Sequence, residues 1–264
     1  MRDTTPDIVN AAANLKKNII MKKTDFSDLK VIYINCTLKK SPQESHTKTL
    51  MDVSKAIMIK EKVEIDEIRL IDHQIASGVY PDMTEYGWDI DEWPKLSKRV
   101  LDADILIVGT PIWLGEKSSE AQKLIERLYA LSSLTNDKGQ YIFYGKVGGC
   151  IVTGNEDGIK HCAMGILYSL QHVGYSVPPQ ADCGWIGKVG PGPSYGDKEL
   201  KGEILDNPVG FDSEFTNRNT TFMTYNLLHL SLMLKNNNGY PNYGNSRKEW
   251  DYGERWGFEN PEYR

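Results

Sequence analysis

The segment between residues 37 and 47 combines hydroxyl groups with positive charge. Its candidate binding residues are Thr37, Lys39, Ser45, His46 and Thr47. A helix is expected to begin within it, and the free N–H groups at a helix N-terminus attract anions. The segment lacks both the G-x-x-x-x-G-K-[ST] and the G-x-G-x-x-G patterns, so a single phosphate fits it better than a nucleoside triphosphate. The alternative is that these residues only cap a helix and solvate a turn.

A second segment, residues 109–119, is unexpectedly apolar for a connection. It contains Pro111, Ile112, Trp113, Leu114 and Gly115. An aromatic ligand could stack on Trp113 while nearby backbone groups contact the polar edge of that ligand. The alternative is that Trp113 closes the hydrophobic core.

A third segment spans residues 153–158 and comprises Thr153, Gly154, Asn155, Glu156, Asp157 and Gly158. Its two glycines allow a close backbone approach to a ligand or a positive φ. Asn155 offers a donor and an acceptor, and Asp157 is a candidate helix N-cap. Taken alone, the segment also matches an ordinary turn between a strand and a helix.

The elements around these segments alternate between strand and helix. Apolar or β-branched runs predict strands at residues 30–36, 63–71 (an edge strand), 105–109, 146–153 and 176–185, the last delayed by two prolines. Apolar residues at helical spacing predict helices over 47–62, from 93 to 102–104, after a capping box at 119–122, and over 159–173. This alternation predicts a doubly wound parallel α/β sheet, in which ligands bind at the carboxyl ends of the strands. The three segments should meet there.

The sequence resembles the flavodoxin-like NAD(P)H-dependent FMN reductases. The resemblance covers residues 30–187 and rests on N-C-T-L-K at 35–39, T-P-I-W-L-G at 110–115 and T-G-N-E-D-G at 153–158. It implies a flavodoxin-like five-stranded sheet in the order 2-1-3-4-5 with FMN at the switch point. The first segment would hold the phosphate, the second would flank the isoalloxazine ring, and the third would form the other wall. The phosphate segment lacks the G-S-x-R form of many relatives, so Lys39 would take the ionic role.

The resemblance implies a flavin oxidoreductase. NAD(P)H would be the co-substrate, and hydride would pass through flavin N5 to a small acceptor such as free flavin or a quinone. No catalytic side chain is required. The alternatives are a flavodoxin-type electron carrier and a flavin-responsive regulator without a nicotinamide reaction.

Other chemistry finds little support in the sequence. No G-x-S-x-G elbow or metal-ligand spacing occurs. Cys162 belongs to an apolar helical stripe and is expected in the core, while the neighbouring His161 could line the flavin site. The acidic cluster Asp89, Asp91 and Glu92 is interpreted as a solvated helix start.

Composition narrows the partners and the compartment. The 264 residues carry 31 basic and 36 acidic side chains, a net charge of −5 that disfavours nucleic-acid binding. No apolar run is long enough to cross a bilayer. The four cysteines are expected to be reduced, which favours the cytoplasm. A homodimer or homotetramer is expected.

The chain divides into an N-terminal extension (1–29), a flavin domain (30–187) and a C-terminal extension (188–264). In the last of these, residues 190–196 are interpreted as a turn-rich linker. Residues 215–234 are interpreted as a helix with an apolar, leucine-rich stripe of Phe222, Leu227, Leu228, Leu230, Leu232 and Leu234. The aromatic-rich end predicts docking, either on the chain's own core or across to a partner subunit, where it would close an edge of the flavin site.

Overall fold

A central parallel sheet positions everything else. In this computed structural model, which describes residues 24–190 and 192–257, the parallel strands are β1 (Lys30–Asn35), β2 (Glu64–Arg69), β3 (Ile105–Trp113), β5 (Val147–Gly154) and β6 (Asp182–Ile186). Their order is β2-β1-β3-β5-β6, and a two-residue strand β4 (Glu116–Lys117) pairs antiparallel with β3. Counting the parallel strands alone, this is the order 2-1-3-4-5, so the predicted flavodoxin-like fold is confirmed.

The residue types of the strands account for their places in the sheet. β1 and β3 lie side by side, pairing Ile32 with Leu106 and Ile34 with Val108. Both are apolar runs buried on both faces, which suits central parallel strands. β2 buries only Ile68 and forms one edge, as predicted. β6 begins after the two prolines and forms the other edge.

Helices cover both faces of the sheet. They are α1 (His46–Lys60), α2 (Trp93–Asp102), α3 (Ser119–Tyr129), α4 (Ile159–Val173), α5 (Glu214–Asn236) and α6 (Arg247–Asp251). One core cluster joins α2, α3 and α4 to the sheet, and the other joins α1 and α5. Short 3-10 turns at Leu70–Asp72 and Met83–Tyr86 and a small hairpin, β7 (Glu199–Leu200) with β8 (Glu203–Ile204), complete the described elements.

Two predicted helix caps are wrong, each by one residue. The N-cap of α3 is Ser118, not Ser119, and its Oγ accepts a hydrogen bond from the Ala121 N–H at 3.2 Å. Ser118 is favoured because its hydroxyl also donates to the carbonyl of Cys36 at 2.6 Å, which joins α3 to the end of β1. Gly158, not Asp157, occupies the N-cap of α4 and provides no side-chain cap. Gly174 ends α4 in the left-handed conformation, as predicted.

The buried face of α5 differs from the predicted leucine stripe. Phe222, part of that stripe, is exposed. The buried residues are instead Thr216, Thr220, Met223, Thr224, Leu227, Leu228 and Ser231. The threonine hydroxyls are tolerated inside because they bond to carbonyls one turn back, as Thr224 does to Thr220 at 2.7 Å. Thr224 also contacts the Ser54 hydroxyl at 2.7 Å, so polar contacts help fix α5 on α1.

The two extensions contact the domain differently. Residues 1–23 lie outside the described residues, whereas Phe26 and Leu29 are buried in the α1–α5 core cluster. At the other end, the side-chain amide of Gln140 donates to Pro241 O at 3.0 Å and to Asn245 Oδ1 at 2.8 Å. Residues 240–245 therefore lie beside the loop that precedes β5, at the amino end of the strands. Docking of this segment on a partner subunit stays a prediction.

The interpretation of the acidic cluster as solvated is wrong for Asp91. Its side chain is fully buried and pairs with the equally buried Arg127 at 2.5 Å. It also accepts backbone N–H bonds from Ala76, Met83 and Trp93. Asp91 thus fastens the excursion between β2 and α2 to helix α3, and Asp89 beside it is exposed.

The four cysteines are free and buried, and Cys162 packs in the core as predicted. Burial, with a smaller contribution from Glu116, raises the pKa of Cys162 to about 11, and burial raises that of Cys183 to about 12. No described helix is long and apolar enough to cross a membrane.

These thiols should make the protein lose stability in alkali. Above the ordinary thiol pKa of 9.0 they ionise in the unfolded chain but stay protonated in the fold, so ionisation favours unfolding. We expect the contribution of the protonated thiols to be fully present below about pH 8.5, and the free energy of unfolding to fall as the pH rises from there towards 11. Urea titrations at pH 8 and pH 10.5 with a reductant measure this difference. Equal stability at the two values would contradict it.

Candidate functional site

A cavity of about 470 Å³ opens at the carboxyl ends of β1, β3 and β5. This is the edge where a doubly wound sheet binds its ligands, and the volume is that of a small-molecule site. The predicted residues that line it are Thr37, Lys39, Ser45, His46, Thr47, Pro111, Ile112, Trp113, Thr153, Gly154, Asn155 and Glu156. The lining adds Leu38, Val189, Gly190, Gly192 and Ser194. Leu114, Gly115, Asp157 and Gly158 lie outside it.

The first segment is held by Asn35, the buried last residue of β1. Its amide donates to the Ser45 Oγ at 3.2 Å, and its Oδ1 accepts from the Thr37 N–H at 3.1 Å. Ser45 in turn caps α1 by accepting from the Lys48 N–H at 3.2 Å. The N–H groups of His46 and Thr47 have no protein partner among the described residues. No acidic residue lies in the first turn. This end of the cavity therefore suits an anion.

Ser41, which also lies in the first segment, has a structural role. Its Oγ donates to Asp72 Oδ2 at 2.6 Å and its N–H donates to Asp72 Oδ1 at 2.9 Å. The hydrogen bond from the Ser41 side chain is the main reason that the pKa of Asp72 is lowered. Arg69 donates to the Ser41 Oγ at 3.0 Å and to the Gln43 carbonyl at 2.6 Å. These contacts fasten the tip of the segment to the end of β2, away from the cavity.

The second segment is a hairpin. β3 continues to Trp113, and the turn into β4 has positive φ at both Leu114 (52°) and Gly115 (76°), the pattern of a type I′ turn. Trp113 lines the cavity with 57% of its surface exposed, so it does not close the core. Leu114 is 93% exposed on the outside of the turn.

The third segment contacts the hairpin in two places. Glu156 Oε1 accepts the Leu114 N–H at 2.7 Å. A Cβ at Gly158, where φ is 141°, would lie 2.7 Å from the Gly115 carbonyl oxygen, so this position requires glycine. A Cβ at Gly154 would lie 2.9 Å from the Ile112 Cβ, so that glycine leaves room for a neighbouring strand. The glycines thus pack the two segments together.

One further contact ties the walls of the cavity. The hydroxyls of Thr47 and Thr153, both buried, meet at 2.7 Å and join α1 to β5. His161, which could have lined the site, instead contacts Glu116 Oε1 through Nε2 at 2.7 Å and lies outside the lining.

Four of the lining residues that the sequence did not identify lie in or beside the predicted linker. Val189, Gly190, Gly192 and Ser194 form a wall of the cavity. The side-chain amide of Asn155 donates to the carbonyls of Gly192 at 3.1 Å and Pro193 at 2.9 Å. The alternating glycines and prolines of residues 190–193 indicate a turn, but such a pattern does not reveal which part of the protein the turn contacts.

Comparison with known proteins agrees with this fold. Residues 29–184 match the family model of the NADPH-dependent FMN reductases, and the chain belongs to that family. Over 213 residues it is 38% identical to the 8-demethyl-8-aminoriboflavin-5'-phosphate synthase of Streptomyces davaonensis, covering 78% of this chain and 79% of that enzyme. The crystal structure of RosB with bound 8-demethyl-8-formylriboflavin-5'-phosphate superposes with a TM-score of 0.72 and 33% identity, covering 88% of this chain and 90% of the other.

A third relative is much longer than this chain. Over 210 residues the sequence is 57% identical to the divalent metal cation transporter MntH of Mycobacterium bovis. The match covers 80% of this chain but 30% of the transporter, so the likeness concerns one part of that protein.

Proposed function

We propose that this protein is an FMN-dependent oxidoreductase that takes hydride from NAD(P)H and passes it to a small acceptor such as free flavin or a quinone. The observation that carries the proposal is the two-ended cavity. One end offers unbonded N–H groups of α1 and the other offers the exposed face of Trp113. Membership of the FMN reductase family supports the same assignment.

The residues of the cavity fit a flavin phosphate. The N–H groups of His46 and Thr47, which lie at the α1 end of the cavity, would hold the phosphate together with Lys39, which also lines the cavity. Pro111, Ile112 and Trp113 would flank the ring, and Thr153 to Glu156 would form the facing wall. The hydrogen bond between Glu156 and Leu114 keeps these two walls at a fixed separation.

Bound FMN would supply hydride transfer at N5, which the side chains cannot perform themselves. The protein would orient the ring and leave one face open to a nicotinamide. Trp113, more than half exposed at the mouth, is placed to stack on an incoming aromatic ring. No side chain is assigned as an acid or base.

The proposal predicts rapid reduction of FMN-loaded protein by a nicotinamide. Under anaerobic conditions, NADPH or NADH should bleach the 450 nm band of the flavin within the time of a turnover, because hydride transfer needs only stacking of the two rings. Stopped-flow absorbance measures the rate. A spectrum without any change on saturation with FMN would reject flavin binding. Binding with only slow bleaching by both nicotinamides would favour an electron carrier.

The comparisons favour a second candidate, chemistry on the flavin itself. The relative from Streptomyces davaonensis is named for the synthesis of an 8-amino flavin phosphate, and RosB binds an 8-formyl flavin phosphate. By this hypothesis, FMN would be a substrate and not a resident cofactor. Mass spectrometry of flavin recovered after aerobic incubation with an amine donor distinguishes the two candidates. Unchanged FMN supports the oxidoreductase. A flavin whose mass has changed through replacement of the 8-methyl group supports the modifying enzyme.

A further inference from the structure

Residues 192–197, called the strap below, cross the cavity from the third segment to the start of α1. Gly192 and Ser194 line the cavity from this side. The strap follows the part of the chain that the family model matches, which ends at residue 184. It thus lies outside the residues that the family model matches.

One end of the strap is firmly anchored. The Tyr195 ring is 1% exposed and lies 5.7 Å from the ring of Trp185 and 5.4 Å from that of Phe211. Gly196 passes so close to α1 that a Cβ there would lie 2.6 Å from the Thr49 Cγ2. Beyond Tyr195, Asp197 Oδ2 accepts the Ser194 N–H at 2.6 Å and closes a tight turn.

His46 fastens the strap to the phosphate end of the cavity. Its Nδ1 lies 3.0 Å from the Tyr195 carbonyl oxygen and 3.6 Å from Asp197 Oδ1. A carbonyl only accepts hydrogen bonds, so Nδ1 carries the proton. The strap thereby selects the tautomer of a residue that lines the site.

The other end of the strap depends on Asn155. Its amide donates to the carbonyls of Gly192 and Pro193, and its Oδ1 accepts from the Ser194 hydroxyl at 3.4 Å. An amide has two N–H groups and one carbonyl oxygen, so these contacts engage it on both sides. A flavin ring placed against the third segment, as the resemblance implies, must compete with the strap for Asn155.

We propose that Asn155 is a positioning residue that fastens the strap over the cavity, and that this contact sets how long a flavin phosphate remains bound. The inference rests on the proposed binding of FMN in this cavity. A phosphate at the start of α1 lies beneath the strap, so its departure requires that the bonds of Asn155 to Gly192, Pro193 and Ser194 break first. Its arrival requires the same bonds to open, because they hold the strap across the cavity before a ligand enters.

The test measures FMN association and dissociation separately by stopped-flow flavin fluorescence. Asn155→Ala should raise the dissociation rate by on the order of tenfold, the effect of losing one to two net hydrogen bonds, and should raise the association rate as well, because arrival needs the same opening. Asn155→Asp, which keeps the size but loses the donor, should do the same. Asn226→Ala is the matched control, because Asn226 makes an equivalent bond to the Pro179 carbonyl, at 2.8 Å, away from the cavity.

A variant of the strap itself separates action through the strap from direct contact with flavin. Pro193→Gly loosens the strap without changing the side chain of Asn155. The double variant, Pro193→Gly with Asn155→Ala, should release FMN about as fast as the faster of the two single variants, because both substitutions remove the same restraint. Multiplicative effects, or a dissociation rate unchanged by both Asn155 variants, would overturn the proposal. Wild-type protein that binds no FMN would overturn the proposed function first, and nicotinamide oxidation is not needed for either measurement.

Discussion

Replacing Asp91 with alanine should lower the free energy of unfolding by about 3–5 kcal/mol, because it leaves the buried charge of Arg127 without its partner. Two further observations make the loss large. The Nε and Nη1 atoms of Arg127 are buried without a hydrogen-bond partner among the described residues. Burial lowers the pKa of Arg127, and Asp91 is the main group opposing that shift. The backbone N–H groups of Ala76, Met83 and Trp93, which donate hydrogen bonds to Asp91, would also lose their acceptor.

Thermal unfolding followed by circular dichroism measures the effect, which should reach roughly 10 °C in Tm for a domain of this size. The matched control is Asp89→Ala, since Asp89 belongs to the same acidic cluster but is exposed; it should change stability by about 0.5 kcal/mol or less. Adding Arg127→Met to Asp91→Ala should recover part of the loss, because no buried charge then remains. A loss below about 1 kcal/mol for Asp91→Ala would show that the pair does not hold the excursion in place.

The sequence pattern predicts this fold well where apolar residues repeat, and poorly where a single polar residue determines the packing. The runs at β1 and β3 and the periodic faces of α1 and α4 could be found because burial on one or both faces leaves a repeating signal. Asp91 could not be recognised as buried, since a solvated acid and an acid paired to a residue 36 positions away have the same local sequence. The threonine face of α5 was hidden for a similar reason: its hydroxyls bond within the helix.

The candidate site shows the same division. Its position followed from topology, because the ends of β1, β3 and β5 must meet in a sheet of this order. The sequence predicts only a connection at Leu114 and Gly115. The hairpin there could not be recognised, because one of its two positions of positive φ is a leucine, a residue type that does not indicate positive φ. The strap was missed because its place depends on contacts between Asn155 and a segment 37–39 residues further along the chain.

The phosphate end of the site allows a test in which two adjacent lysines are compared. Lys39, in the loop between β1 and α1, lines the cavity, and its neighbour Lys40 does not. Lys39→Glu should weaken FMN binding by about 30- to 100-fold at low salt, because it exchanges an attraction of about 1–1.5 kcal/mol to the phosphate for a repulsion of similar size. Lys40→Glu changes the net charge equally and should have an effect of threefold or less, roughly what screening leaves of an exposed charge outside the cavity.

Riboflavin supplies the second comparison, because it has the same ring but no phosphate. Its affinity should be nearly unchanged by Lys39→Glu, and raising the salt concentration should narrow the difference between the variants for FMN alone. Fluorescence titrations of both ligands at two salt concentrations measure these effects. Equal losses for FMN and riboflavin would mean that Lys39 supports the shape of the cavity and not the phosphate. Equal losses for Lys39→Glu and Lys40→Glu would mean that net charge alone governs binding, and the N–H groups of His46 and Thr47 would then have to hold the phosphate without a cationic partner.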